Sequence, residues 1–208
     1  MKSNKTIEIQ LERSSNEKYD ELDIRFTDLK GYWRHVTVPA SMVDENLFLR
    51  GVGFDGSTLS GMTPTEAGDL VLRPDPKRVF KDPFTERKTL VIIADIVDPE
   101  SGKPFSKDPR GIAKKAASYL QESNIATNSF WAPEFEFYVF DEASFWSEPG
   151  SQGYHVGSIE NPEVSKLTES KGFVHPCKSG YHMMYPMDSL HDIRSEITKQ
   201  MQKTGIQI

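Results

Sequence analysis

The 208-residue sequence contains one cysteine, no long hydrophobic run and no excess of basic residues. Cys177 alone cannot form an internal disulfide or a cysteine metal cluster, so we give it no functional role. No apolar segment has transmembrane length, and the first residues lack the apolar core of a signal peptide, which predicts a cytoplasmic protein without membrane contact. Lys and Arg total 25 against 31 Asp and Glu, and this net charge of -6 argues against nucleic-acid binding.

The composition, with 37% hydrophobic and 27% charged residues, is typical of folded soluble proteins. The chain is long enough for one large or two small domains. The amino-terminal half has alternating patterns of half-buried strands. Residues 21–27 and 32–39 predict a β-hairpin, and residues 69–74 and 89–95 predict two further strands. Few helical patterns accompany them. We therefore predict a small β-rich domain that ends near residue 105.

The second half carries two helical patterns. Asp108 followed by Pro109 is a typical helix start, and the apolar positions after it predict a helix to about Ser123. A last amphipathic helix is predicted from about Ser189 until Gly205 ends it. Between them, residues 142–172 are polar and predict a long connection that is either functional or mobile.

Two stretches contain candidate functional residues. Residues 51–61 hold four glycines in eleven positions, with Asp55 at the centre, so the segment is predicted as a loop. Such a loop can bring Asp55 close to a ligand, and it can equally be a structural connection between strands.

The second stretch, residues 131–141, is the most aromatic of the chain and predicts a strand. Glu134 and Glu136 would then share one face, with Phe135 and Phe137 on the other. Neighbouring carboxylates among aromatic rings need a cation, an arginine or a shared proton, and a divalent metal is one solution. The alternative is an edge strand whose glutamates face water.

Six short motifs become specific when they are considered together. In this order and approximate spacing they resemble class I glutamine synthetases of bacterial and archaeal type, over about residues 20–208. The motifs are Phe54-Asp-Gly-Ser-Thr58, Pro74-Asp-Pro76, Asp82-Pro-Phe84, Asp108-Pro-Arg110, Ala132-Pro-Glu-Phe-Glu-Phe137 and Asp188-Ser-Leu-His-Asp-Ile-Arg-Ser-Glu196.

The resemblance implies an α+β chain with two parts. Residues 17–105 would form a β-grasp domain, and residues 106–208 would form the first part of an incomplete, truncated catalytic α/β domain. The implied activity is ATP-dependent ligation of ammonia to L-glutamate through a γ-glutamyl phosphate. The family assembles as a homo-oligomeric ring, a dodecamer, with active sites between subunits.

The resemblance also implies roles for individual residues. Asp55 matches the aspartate that helps to bind ammonium and to take its proton. It lies in a substrate loop that includes Ser57 and Thr58, and the family usually has serine at the position of Thr58. Glu134 and Glu136 match ligands of the divalent ions, Mg2+ or Mn2+, although Phe135 replaces the proline between them.

A nucleotide-binding string is matched less closely. Lys178 and Tyr181 match its lysine and tyrosine, whereas Ser179 and His182 depart from the pattern, and an exposed loop is the alternative for this segment. The family's remaining metal, glutamate and phosphate ligands would follow the position that matches Ile208. We therefore expect the chain alone to be inactive. An alternative is a non-catalytic short paralogue that binds or modulates a full-length glutamine synthetase.

Overall fold

A computed structural model describes residues 19–158 and 179–208. The chain divides into two compact units. The first comprises the described residues up to Phe130 together with residues 200–208, and the second comprises Trp131–Lys199. None of the helices in these described ranges is long and apolar enough to cross a membrane. The predicted domain boundary near residue 105 stays a prediction.

The first unit is built around a five-stranded sheet with the strand order β2-β1-β5-β4-β3. The two central strands β1 and β5 are parallel, and every other neighbouring pair is antiparallel. A mixed sheet of this kind agrees with the β-rich domain that the sequence predicts. The strands are β1 (Glu21–Thr27), β2 (Trp33–Pro39), β3 (Val52–Asp55), β4 (Asp69–Lys81) and β5 (Thr89–Val97).

The predicted amino-terminal hairpin is confirmed. In β1 and β2, Ile24 lies opposite Val36, so the apolar positions of both strands fall on the same face. The turn between them is held by Asp28, whose Oδ1 accepts hydrogen bonds from the backbone N–H of Lys30 at 2.9 Å and Tyr32 at 3.0 Å. An aspartate that bonds the backbone after it is a common way to close a turn.

The hydrophobic core covers one face of this sheet. Alternation of apolar and polar residues along β1 directs Leu22 and Ile24 to that face, whereas β5 is apolar over most of its length, as is typical of a central strand. The large core side chains that are 0% to 1% exposed come from three strands and a following loop: Leu22, Ile24, Met62, Leu72, Ile92 and Ile96. By the usual area relation, each such side chain contributes roughly 1.5–3 kcal/mol to folding.

Two α-helices lie wholly within the described part of the first unit. The short helix α1 (Glu45–Arg50) is capped by Asp44 and buries Leu47 and Phe48. The longer helix α2 (Pro109–Glu122) has Asp108 as its N-cap and ends before Ser123, in agreement with the predicted helix.

Two predictions in the sheet need correction. The glycine-rich stretch is not a loop throughout, because its first part, Val52–Asp55, pairs with β4 as strand β3. Strand β4 also extends beyond residue 74 through the proline-rich segment, with a register shift between Pro74 and Val79. Proline cannot donate to a ladder, and the register shift lets the strand continue past it.

The second unit contains a hairpin that the sequence prediction missed. Strands β6 (Glu142–Glu148) and β7 (Ser151–Gly157) pair antiparallel within the stretch predicted as a long polar connection. Gly150, with a φ of 80°, forms the two-residue turn with Pro149. The last helix, α3 (His191–Lys203), confirms the predicted amphipathic helix, and Gly205 follows it with a φ of 84°.

The predicted strand over residues 131–141 is wrong in this structure. Residues 131–140 have no regular secondary structure, and Phe135 and Phe137, expected to pack on one face, are 77% and 61% exposed. A strand requires a neighbouring strand for its backbone hydrogen bonds, and no strand of the described residues is paired with this segment. The rings of Tyr138 and Phe140 do stack, with centroids 6.0 Å apart, as residues on one side of an extended chain can.

Candidate functional site

Asp55 lies where the edge strand β3 ends, opposite Asp69 of β4. Its side chain caps a single turn of 3-10 helix formed by Gly56–Thr58. The carboxylate Oδ1 accepts hydrogen bonds from the Ser57 backbone N–H at 2.8 Å and from the Ser57 hydroxyl at 2.6 Å. The Thr58 hydroxyl donates to the Asp55 carbonyl at 2.8 Å. The three predicted residues of the substrate loop therefore do come together.

This geometry keeps Asp55 ionised and accessible. The Ser57 side chain, and then its backbone N–H, hold the pKa of the exposed Asp55 carboxyl below its usual range. Both hydrogen bonds are accepted by Oδ1, so Oδ2 is the oxygen that a ligand can approach. An oriented carboxylate at the surface suits a cationic ligand.

The loop is fastened closely to the sheet at its start. Gly56 is buried and donates its N–H to the Gly68 carbonyl at 2.7 Å. A Cβ on Gly56 would come within 2.6 Å of the Leu70 side chain, so this position excludes larger residues. The side chain of Met62, 1% exposed, anchors the other end in the core. The Asp55 loop, residues 55–62, is thus held at both ends.

Glu134 and Glu136 belong to the second unit and are both exposed. Carboxylate oxygens are the donors that Mg2+ and Mn2+ prefer, so the residue type fits a hard cation. Two carboxylates are too few ligands for such a cation, and the described residues contain no group of three or more His, Cys, Asp or Glu side chains that could hold a metal. The described residues alone do not make a complete metal site.

Of the two nucleotide-binding candidates, Lys178 lies outside the described residues, as does Cys177. Tyr181 is described and is 90% exposed, with its ring 4.3 Å from that of His182, centroid to centroid. Gly180 and His182 on either side have φ values of 99° and 53°. The segment is therefore a turn that presents Tyr181 to solvent.

The sequence interpretation missed a buried charge network on the polar side of the β1–β2 hairpin. Asp23, 4% exposed, accepts hydrogen bonds from His35 Nδ1 at 2.6 Å, Arg25 Nε at 2.7 Å and the Thr37 hydroxyl at 2.9 Å. Arg25 also pairs with Asp82. Burial raises the pKa of Asp23, but these hydrogen bonds outweigh it and leave the pKa below its usual value. The sequence did contain a signal for this network, because polar residues occupy matching positions of the two predicted strands.

A second network joins β4, β5 and α2. Arg110 pairs with Asp95 and with Asp75, the latter at 2.6 Å, and Lys114 also binds Asp95. Burial alone raises the pKa of Asp75, and the hydrogen bond from Arg110 more than reverses this. Asp75 and Arg110 both lie in motifs that carry the family resemblance. In this structure they bind each other, which indicates a structural role.

Two family models match the chain in succession. Residues 18–99 match "Glutamine synthetase, beta-Grasp domain", and residues 106–208 match "Glutamine synthetase, catalytic domain". Together with the mixed sheet, these matches define a β-grasp domain followed by part of a ligase catalytic domain, which confirms the predicted fold class. The chain belongs to the glutamine synthetase family.

Curated relatives support the same assignment. Glutamine synthetase of Azorhizobium caulinodans is 39% identical over 199 residues, which cover 94% of this chain and 42% of that protein. Glutamine synthetase of Rhizobium meliloti is 40% identical over 190 residues, which cover 90% and 40%. The chain therefore spans about 40% of the length of the curated relatives it matches.

Solved structures agree on the fold. A cryoEM structure of Plasmodium falciparum glutamine synthetase matches with a TM-score of 0.76 at 20% identity, covering 92% of this chain and 38% of that one. A structure described as a GmaS/ADP complex matches with a TM-score of 0.58 at 21% identity, covering 94% and 39%. At these identities the matches concern the fold alone.

Proposed function

We propose that this chain supplies the amino-terminal portion of a glutamine synthetase, which ligates ammonia to L-glutamate with cleavage of ATP. In this reaction the glutamate side-chain carboxylate attacks the terminal phosphate to give a γ-glutamyl phosphate, and ammonia then displaces the phosphate. The observation that carries the proposal is the match of both family domains, in order, over most of the chain. Asp55 adds a suitably held carboxylate within the first of them.

Asp55 is the proposed ammonium-binding and proton-accepting residue. Its ionised carboxylate would attract the ammonium cation and assist the loss of a proton, without which nitrogen has no lone pair for the attack. Support comes from the orientation by Ser57, which occupies Oδ1 and leaves Oδ2 accessible. In the complete enzyme we propose that this loop reaches the active site of a neighbouring subunit, in a homo-oligomeric ring.

Glu134 and Glu136 are the proposed contributors to the divalent-metal sites, with Mg2+ or Mn2+ as the ion. The bound ion would neutralise charge on the phosphates and on glutamate. For these two residues we propose only a share of the ligand set, because the described residues do not complete one.

Lys178 and Tyr181 are the proposed nucleotide contacts. A lysine ammonium suits phosphate oxygens, and an exposed tyrosine ring such as that of Tyr181 offers a surface for a base. A protein of similar fold was solved as an ADP complex, which supports nucleotide binding within this architecture. The cytoplasm, where ATP and glutamate are both available, is the proposed location.

The proposal predicts that the 208-residue chain alone does not make glutamine. A second interpretation, a non-catalytic paralogue that modulates a full-length enzyme, has no separate support in the comparisons. Fragment complementation separates the two. The purified chain is mixed with a polypeptide carrying the remaining part of the Rhizobium meliloti enzyme, and glutamine formation from ATP, glutamate and ammonium is measured with Mg2+.

We expect activity from the mixture and none from either part. Asp55→Asn should lower the activity of the mixture by roughly 100-fold or more, because it removes the proton acceptor. The matched control is Asp69→Asn, which changes the carboxylate opposite Asp55 in the register and should retain activity. Turnover by the chain alone would refute its predicted inactivity, and an unaffected Asp55→Asn mixture would refute the role of Asp55.

A further inference from the structure

Lys107 is bonded to the Asp55 loop, although neither the motifs nor the proposed chemistry assign it a role. Its Nζ donates hydrogen bonds to the backbone carbonyl of Gly61 at 2.7 Å and to that of Met62 at 2.8 Å. A lysine ammonium has three donors, so two of them are used on adjacent carbonyls at one end of the loop. Hydrogen bonds from a charged donor are stronger than neutral ones.

The backbone of Lys107 is itself well anchored. The next residue, Asp108, is 1% exposed, and its carboxylate accepts the backbone N–H of Ile96 in β5 at 3.2 Å and that of Arg110 in α2 at 3.1 Å. The lysine therefore extends from a point that is fixed to both the central sheet and the helix. It connects this point to the carboxyl-terminal end of the loop.

Within the loop, the backbone bonds after the Asp55 turn are two turn contacts. Leu59 donates to the Gly56 carbonyl and Met62 to the Leu59 carbonyl, each at 3.1 Å. Gly61 adopts a φ of 82°, which turns the chain sharply before Met62 enters the core. The two carbonyls that bind Lys107 lie at this turn, so the ammonium holds the loop where its direction changes.

We propose that Lys107 is a positioning residue for the Asp55 carboxylate, acting by bridging the Gly61 and Met62 carbonyls to the amino-terminal end of α2. Its consequence for ammonium rests on the proposed function. A catalytic carboxylate needs a loop held in one geometry, because a small displacement of a reacting group lowers the rate strongly. The competing explanation is that Lys107 only adds to the stability of the whole β-grasp domain.

Amide hydrogen exchange of the 208-residue chain, followed by NMR, distinguishes these explanations. Lys107→Met keeps the aliphatic stem and removes the donors, and it should speed exchange at the Leu59 and Met62 amides by roughly tenfold, with Ile92 of β5 unchanged. Lys107→Arg retains a cationic donor and should restore slow exchange. Lys103→Met is the matched control, an exposed lysine whose ammonium does not bind the loop carbonyls.

Unchanged exchange at Leu59 and Met62 would overturn the proposal, and so would an equal increase at Ile92, which would indicate a global effect. The complemented enzyme then tests the catalytic consequence separately. There Lys107→Met should raise the KM for ammonium several-fold more than the KM for ATP. If loop exchange responds, the ammonium KM does not and Asp55→Asn still removes activity, Lys107 holds the loop without positioning Asp55, and the proposal is overturned. If Asp55→Asn also leaves activity intact, the proposed role of Asp55 fails instead.

Discussion

The two units of this chain use their hydrophobic residues in opposite ways. In the first unit the apolar side chains of β1, β4 and β5 form a core in which several are 0% to 1% exposed. In the second, Gly157 is the one buried residue among those described, while Trp131 is 87% exposed, Tyr138 86% and Phe145 86%. A similar supply of aromatic and aliphatic residues thus gives a core in one unit and an open surface in the other.

The difference follows from where the partners of each strand are. Strands β1 to β5 find all their neighbours within residues 21–97, so backbone groups pair and apolar faces close together. Residues 131–140 have no neighbouring strand among the described residues, and most of their aromatic side chains are largely exposed. Sequence pattern makes a segment suitable for a sheet, but a partner is required for the sheet to exist.

We expect the largest effect on the free energy of unfolding when a large apolar side chain is truncated in the first unit rather than in the second. Ile92→Ala removes a side chain that is 0% exposed and should lower the free energy of unfolding by about 2–5 kcal/mol. Phe137→Ala, at a position 61% exposed, is the control and should change it by less than about 0.5 kcal/mol. Urea unfolding followed by circular dichroism measures both. Equal losses would mean that Phe137 is packed in solution and that the contrast between the units is wrong.

Acid should weaken the first unit through Asp23. Its pKa is lowered in the folded state, so its stabilisation is complete above the unfolded pKa of about 4 and is lost as the pH falls through the folded value. Asp23→Asn should cost about 1–3 kcal/mol at pH 7 and flatten the loss of stability as the pH falls below about 4. Asp69→Asn, which changes an exposed carboxylate at the start of β4, is the control. An unchanged acid profile in Asp23→Asn would show that other carboxylates govern it.

The open aromatic surface of the second unit should bind a hydrophobic dye and promote self-association. We expect Phe135→Ser combined with Tyr138→Ser to lower the fluorescence of 8-anilinonaphthalene-1-sulfonate by about twofold and to shift sedimentation towards the monomer. Phe84→Ser, which removes an aromatic ring 82% exposed in the first unit, should change neither. Weak dye binding by the unmodified chain would indicate that the surface is covered.

The smallest expected effect concerns metal binding. Two exposed carboxylates alone should hold Mn2+ with a Kd weaker than about 1 mM, because hard cations need six or more oxygen ligands for tight binding. The double substitution Glu134→Gln and Glu136→Gln should remove what binding there is, whereas Glu148→Gln in β6 should not. Electron paramagnetic resonance of free Mn2+ measures this. A Kd below about 10 μM would point to a fuller ligand set within the chain.

Sequence patterns predicted the first unit well and the second poorly. The β1–β2 hairpin followed from alternation, strand β5 from its apolar run and helix α2 from the Asp108 cap, and all three are local signals. Strand β3 was missed because glycines obscured its pattern, and the β6–β7 hairpin because it is polar. Of the site, the Asp55, Ser57 and Thr58 cluster is local and was predictable, whereas the contact with Lys107 joins distant parts of the chain.

The amino-acid sequence by itself determined the family, the alternation that builds the β-grasp sheet, the helix caps and the candidate residues from Asp55 to Tyr181. Only the tertiary structure decided that Asp23 is a buried centre of hydrogen bonds, that Lys107 holds the Asp55 loop, and that residues 131–140 form no strand pair with the described residues. The physical reason is that propensities and caps act between residues close in sequence. Burial, strand pairing and ion pairs depend instead on which distant segments the fold brings into contact.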